Sequence, residues 1–247
     1  MTKILRSRLK SWFGSLDAGQ RLRMAHLQKV FQPPHNGLVL DAGCNRGDYL
    51  LYFARRHPEV EFFGVDINPE AVAQVMRGCQ AMGLKNVQAV THDLTKPIPW
   101  KPDLIYCIDV LEHIEQDGLA LANLHAALRQ GGQAIFHIPL WPQKRFFTSV
   151  VHQEDHVREG YRLPDFFDRL HKCGFEVTTV RFTFGNAGLL AWEIQHSMKK
   201  MLPLFLARFF SLPTCVLCTA LDVSLANKSG NGALVVAAKA QKEPRAA

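Results

Sequence analysis

The 247-residue sequence predicts an α/β fold built on a mostly parallel sheet with helices on both faces. Three observations predict it. From residue 38 onward, strand-like runs alternate with helix-length segments. The strands read as continuous apolar runs, as strands buried on both faces do. Glycines stand where the intervening helices should stop, at Gly83 and at the pair Gly131 and Gly132.

Each element can be read in order. Strands are expected at 38–42 (LVLDA), 61–67, 87–93, 104–110 and 133–139, with helices at 47–57, 69–82 and 115–129 between them. After Pro139 the rhythm changes. Residues 140–160 form a polar loop dotted with aromatics, LPDFFDRLHKCGF reads as a helix closed by Gly174, and 175–184 and 232–240 read as two further strands. Between these two strands lies an apolar, helix-prone insert at 186–226. Its longest uncharged run covers 209–221 and is interrupted by Pro213. Such a run falls short of the ~20 apolar residues of a membrane-spanning helix. The insert is expected to be a substrate lid, a dimer surface or a membrane-dipping helical pair. The domain plan is therefore a basic segment (1–36), an α/β core (37–140), a loop, helix and strand beside it (141–185), the insert (186–226), and a last strand and tail (227–247).

Composition is that of an ordinary globular chain, 47% hydrophobic and 21% charged, which excludes a disordered protein. Six cysteines, at 44, 79, 107, 173, 215 and 218, lie in apolar segments and read as reduced thiols of a cytoplasmic protein. Cys215 and Cys218 form a lone CxxC without a second ligand pair, which favours core packing over zinc. Charge is uneven: residues 1–30 hold seven Lys/Arg against the single acid Asp17. Leu5, Leu9, Trp12 and Leu16 fall on one helical face with Lys3, Arg6 and Lys10 off it. That pattern suits either an anionic membrane surface, on the inner face, or a helix docked on its own domain with a solvated basic side. No apolar signal-peptide core follows these charges.

The chemistry concentrates at the ends of the first strands. The stretch LDAGCNRG turns through Gly43 and Gly47 into a helix, whose first N–H groups attract polar or anionic ligand groups. Asp41 just ahead of the loop would repel a pyrophosphate but suits an ammonium group. Asp66 ends the second strand and can accept two hydrogen bonds from ribose hydroxyls. Asp93 ends the third strand and can accept an adenine amino proton. Ammonium, ribose and adenine together describe S-adenosylmethionine.

Residues 38–140 resemble class I S-adenosylmethionine-dependent methyltransferases, through LDAGCNRG, GVDINPEAV, HDL, CIDVLEHI and ALRQGGQAIFHIP. The resemblance implies a Rossmann-like, doubly wound, seven-stranded sheet with an antiparallel final strand. It implies Gly43 and Gly47 at the methionine end of the donor, Asp66 on the ribose, Ile67 against adenine, and Asp93 with Leu94 at the adenine amino group. Asn45 departs from the family by replacing the middle glycine, and asparagine is among the few residues that accept positive φ.

On the acceptor side, Asp109, Glu112 and His113 in DVLEH share a face if the turn is helical. The set resembles the acid-x-x-Glu-His motif of ubiquinone-pathway O-methyltransferases and small-RNA 2′-O-methyltransferases, which is associated with a divalent metal. Here the metal is not favoured over a bracing role for Glu112 and His113, and Asp109 near the methionine carbons or the acceptor is preferred. His156 reads as a general base, a metal ligand or a surface histidine, with a site role ahead; His152 reads as surface. Arg158 can neutralise an acidic acceptor or close a salt bridge. The expected catalytic residues are Asp109, His113 and His156.

These readings point to O-methylation of a small lipid-like, polyketide-like or lipid-linked glycan acceptor, with contact to a membrane or a second copy of the chain. Two rivals stand beside it: an RNA 2′-O-methyltransferase and a non-catalytic scaffold. Outside the first 30 residues no Arg/Lys and aromatic interleave marks a nucleic-acid surface, so DNA is not expected and RNA ranks below a small molecule.

Overall fold

The computed structural model describes residues 15–147 and 157–239. The basic stripe around Leu5, Leu9 and Trp12, and both His152 and His156, lie outside the described residues. The elements in order are α1 (Ala18–Val30), β1 (Leu38–Ala42), α2 (Asp48–Ala54), β2 (Glu61–Asp66), α3 (Pro69–Met82), β3 (Val87–Thr91) and β4 (Leu104–Ile108). A 3-10 turn (Leu111–His113) leads to α4 (Asp117–Ala127), β5 (Gln133–Pro139), α5 (Leu163–Lys172) and β6 (Phe175–Thr183). α6 (Asn186–Met201), α7 (Leu204–Ser224) and β7 (Gly232–Lys239) complete the chain.

The sheet has seven strands in the order β3-β2-β1-β4-β5-β7-β6. β1 pairs in parallel with β2 and β4, β2 with β3, and β4 with β5. Strand β7 runs the other way. Leu140 N donates to Asn231 O at one end of β7 and Lys239 N to Gly132 O at the other. The doubly wound sheet with an antiparallel strand is thus the architecture expected from sequence. The strand order reverses between β1 and β4, and in such open sheets the carboxyl ends beside that reversal are where ligands bind.

The chain divides into two compact units. One takes Phe31–Ile138, His156–Val180 and Val235–Ala247. Its core is the sheet: Leu40, Ile105, Tyr106, Phe62 and Phe136 are fully buried. Local chemistry sets the element ends. Asn68 caps α3 by accepting from the N–H groups of Glu70 and Ala71, Pro69 supplies the first helical φ, and Gly83 closes the helix at φ +66°.

The second unit takes Met1–Val30, Pro139–Asp155 and Arg181–Leu234. Within it α1 packs on α6 and α7, and Cys215 and Cys218 join Ala18 and Ala191 in its core, so they are packing residues. Here the structure corrects one expectation. Pro213 does not interrupt the insert; α7 is continuous across it for 21 residues. It is the one helix among the described residues long and apolar enough to cross a membrane by length and composition. Its Ser211, Thr219 and Asp222, however, are buried within its own unit. Asp222 pairs with His26 Nε2 at 2.9 Å, both all but inaccessible. Gln195 donates to Ser211 Oγ and to Leu16 O and accepts from Ala18 N. Arg208 and Lys199 both reach Asp17 Oδ2, at 3.3 and 3.0 Å.

Candidate functional site

The site is built from the carboxyl ends of β1 to β5. After β1 the chain turns through three left-handed residues: Gly43 (φ +90°), Asn45 (φ +42°) and Gly47 (φ +74°). Gly43 is required twice over, because a Cβ there would lie 2.3 Å from Val110 Cγ2 and its φ suits only glycine. Asn45 holds the left-handed conformation that the sequence reading asked of it. Gly43 and Cys44 donate to Val65 O, and Gly47 donates to Cys44 O, which ties the loop to β2.

Asp66 latches this loop to the next one. Its Oδ2 accepts from Asn45 N at 2.7 Å and its Oδ1 from Asn68 N at 2.9 Å. Each carboxylate oxygen keeps a second lone pair for a ligand hydroxyl. Beside it Ile67 is 71% exposed, a large apolar side chain presented at the strand end. Asp93 accepts from Thr95 N and Thr95 Oγ1 through one oxygen, Oδ1. These bonds, backbone first, hold its carboxyl below the usual range, with Lys96 and His92 adding to them. Leu94 is buried beneath, its carbonyl accepting from Asn123.

Asp41 is placed differently from the sequence expectation. It sits within β1 between Gly64 and Tyr106 and is 2% exposed, so it backs the loop instead of facing a ligand. Burial pushes its carboxyl well above the usual range; the Tyr106 hydroxyl offsets part of this, and the charge of Asp66 adds to it. Its Oδ2 is buried with no hydrogen-bond partner among the described residues. Cys44, also buried, has its thiol pushed up by desolvation and by the same two acids, and stays neutral.

At the ends of β4 and β5 the structure adds a residue that the sequence reading missed. His137 Nδ1 makes a short hydrogen bond with Asp109 Oδ1, and Asp109 N donates to His137 O at 3.1 Å. His137 is buried, whereas Asp109 is part-exposed and takes a left-handed φ of +51°. A non-glycine residue held there marks a constrained turn. The only sequence signal for His137 was a histidine inside the apolar run QAIFHIP.

The expected acid-Glu-His face does not form. Asp109 precedes a three-residue 3-10 turn, in which Glu112 is 1% exposed while His113 points outward. No group of three His, Cys, Asp or Glu converges on a metal position among the described residues. Arg158 is a brace: its Nη1 donates to Leu111 O, Ile114 O and the Tyr161 hydroxyl, and it pairs with Asp117 at 3.4 Å. Asp117, buried, also binds Tyr161 Oη and Arg169.

The donor set fits the group expected from the sequence. Asp66 and Asp93 supply acceptors and Ile67 an exposed apolar surface, while Asp41 stays buried behind the loop.

Similarity to known proteins falls on the same part of the chain. Residues 39–132 match the family model described as a methyltransferase domain. A ubiquinone biosynthesis O-methyltransferase from Pseudomonas syringae pv. tomato is 28% identical over 116 residues, covering 47% of this chain and 50% of that protein. A tRNA (guanine-N(7)-)-methyltransferase from Leifsonia xyli is 28% identical over 120 residues, covering 49% and 43%. The chain thus spans half or less of the length of these curated relatives. Among solved structures, phosphoethanolamine N-methyltransferase 2 of Haemonchus contortus, in complex with S-adenosyl-L-methionine, shares the fold. Its TM-score is 0.64 at 18% identity, over 90% of this chain and 53% of that one.

Proposed function

We propose that this chain is a class I S-adenosylmethionine-dependent methyltransferase that methylates a hydroxyl group of a small lipid-like, polyketide-like or lipid-linked glycan acceptor, a reading supported by the match of residues 39–132 to the methyltransferase-domain model. The observation that carries the reading is the convergence of Asp66, Ile67, Asp93 and Asp109 on the carboxyl ends of β2, β3 and β4, next to a loop with three left-handed residues.

When bound, the donor supplies a methyl group already activated on a sulfonium. The chain's own residues then do the rest. Asp66 binds the ribose hydroxyls through the oxygens that hold Asn45 N and Asn68 N, so donor binding and loop geometry share one carboxylate. Ile67 covers one adenine face and removes it from water. Asp93 Oδ2 takes the amino proton, while Thr95 fixes Oδ1. Asp109, the more exposed member of its pair, receives the proton of the acceptor hydroxyl, and His137 orients it from beneath. His137 is therefore a positioning residue. The proton moves from the acceptor oxygen to the Asp109 carboxylate as that oxygen takes the methyl group.

An RNA acceptor is the rival reading, supported by the tRNA methyltransferase among the relatives and by the basic first 30 residues. Six free thiols support a reducing, cytoplasmic setting for either one. The test has two stages. Calorimetric titration with S-adenosylmethionine is expected to give saturable binding that Asp66→Ala weakens about a hundredfold. Radiolabelled donor is then incubated with lipid, small-molecule and RNA extracts. Label in the lipid or small-molecule fraction supports the reading, and label in RNA moves it to the rival. Failure of the unmodified chain to bind the donor overturns both.

A further inference from the structure

Helix α7 is built with its polarity reversed. Its inward positions include Ser211, Thr219 and Asp222, all buried. Its outward positions recur at helical spacing and carry Phe205, Phe209, Phe210, Val216, Leu217 and Leu221, with Phe210 57% and Leu217 62% exposed. No charged side chain interrupts that outer face along the helix. An amphipathic helix of a water-exposed domain shows the opposite arrangement. Nor can rotation hide the apolar side. Asp222 is fixed to His26 and to Gly188 N, Ser211 to Gln195, and Arg208 to Asp17, so turning the helix would strand buried polar groups. An exposed apolar face of this extent marks an interaction surface.

Charge selects the occupant. The sequence ranges of this unit carry 14 Lys/Arg against 5 Asp/Glu, whereas the sheet unit carries 15 against 17. Moreover, the three acids among its described residues are all engaged internally: Asp17 with Lys199 and Arg208, Asp222 with His26, and Glu193 with the N–H groups of Phe146 and Phe147. A second copy of the chain would bring two such basic units together across the apolar face, a like-charge contact. An anionic bilayer offers apolar volume and negative charge at once.

We propose that the outer face of α7 is a membrane-docking surface for anionic lipid, with the helix lying in the plane of the interface. At ~1.5 Å per residue the helix lays a strip of about 30 Å on the surface. It does not span, because one side is committed to buried and part-buried polar contacts with its own unit. The inference does not depend on methyl transfer, and donor titration of the same samples separates failure of one reading from failure of the other.

The test is flotation of the full chain with vesicles of phosphatidylcholine alone or with 30% phosphatidylglycerol added, about the anionic content that recruits basic surfaces. The chain is expected to float with the anionic vesicles, to partition about tenfold less into the neutral ones, and to be released by added salt. The triple variant Phe209→Ser, Phe210→Ser, Leu217→Ser should lose about a hundredfold in partition while its donor binding and circular dichroism stay unchanged. As a second readout, Phe210→Trp should shift its emission to the blue on anionic vesicles. Flotation unchanged in the triple variant, or no flotation of the original chain, overturns the proposal. A dimer that the triple variant splits without any vesicle binding assigns the face to a second copy and overturns it too.

Discussion

The two units of this chain solve opposite solvation problems. In the sheet unit the apolar side chains are inside, and the polar groups that matter, Asp66, Asp93 and Asp109, stand at strand ends where a small ligand can reach them. In the helical unit the pair Asp222 with His26 is buried and Asp17 with Arg208 and Lys199 part-buried, while much of the apolar surface of α7 is outside. The lesson is that buried polar pairs can specify which face of a helix looks outward. In the sheet unit that choice follows mainly from hydrophobic burial.

Perturbing each unit at its own determinant tests the contrast. The largest effect is expected from Asp222→Ala, which strands the buried His26 and the N–H of Gly188. It should cost about 3 kcal/mol or more in denaturant unfolding, with hydrogen exchange rising in α1, α6 and α7 first. If the loss appeared in the sheet strands instead, the division between the units would fail. Next comes Gly43→Ala in the sheet unit. Its new Cβ meets Val110, and the left-handed backbone adds strain, for about 2 kcal/mol of thermal stability together with weakened donor binding.

Acid titration should drive the units in opposite directions. Burial alone would raise Asp17, but Lys199 and Arg208 outweigh it and lower the carboxyl to about 2. A lowered native pKa means stability present above the ordinary carboxylate range and lost as pH falls from about 3.8 toward 2. Asp41 is raised by burial, so the folded chain keeps a proton that the unfolded chain has released. Its stabilising effect is complete below the ordinary range and declines as pH rises above about 3.8. Hydrogen exchange at pH 7, 5 and 2.5 should show β1 tightening between the first two values and α6 with α7 loosening at the third. A common response of both units would contradict these assignments. The smallest effect belongs to Asn45→Gly. Relief of left-handed strain and added unfolded-state entropy oppose each other there, for a net change within about 0.5 kcal/mol, read as a shift in thermal midpoint.

Much of the sheet was legible from sequence, and for a physical reason. Strands buried on both faces leave uninterrupted apolar runs, and β1 and β5 begin and end at the residues expected, 38–42 and 133–139. The acids at strand ends were legible because they follow those runs directly. What escaped was tertiary. His137 lay in an apolar run, and only the β4–β5 register, which sets Ile108 beside His137, brings its ring to Asp109. Glu112 and His113 were assigned one face on helical spacing, but the left-handed Asp109 hands the chain to a 3-10 turn that separates them. In α7 the apolar run did not say which side looks outward, because that depends on partners near residues 17 and 26. Pro213 was read as a break, yet the helix runs straight through it on an exposed position.

That proline sets a depth gauge for α7. It has no N–H, so the carbonyl four residues earlier, on Phe209, loses its helical donor. An oxygen left this way must be met by water or a lipid headgroup, since hydrocarbon has nothing to give it. The midpoint of the outer face would therefore ride at the level of the glycerol backbone, with the rings of Phe209 and Phe210 reaching below it. A helix docked as proposed would therefore lie shallow, held near the headgroups by its own backbone.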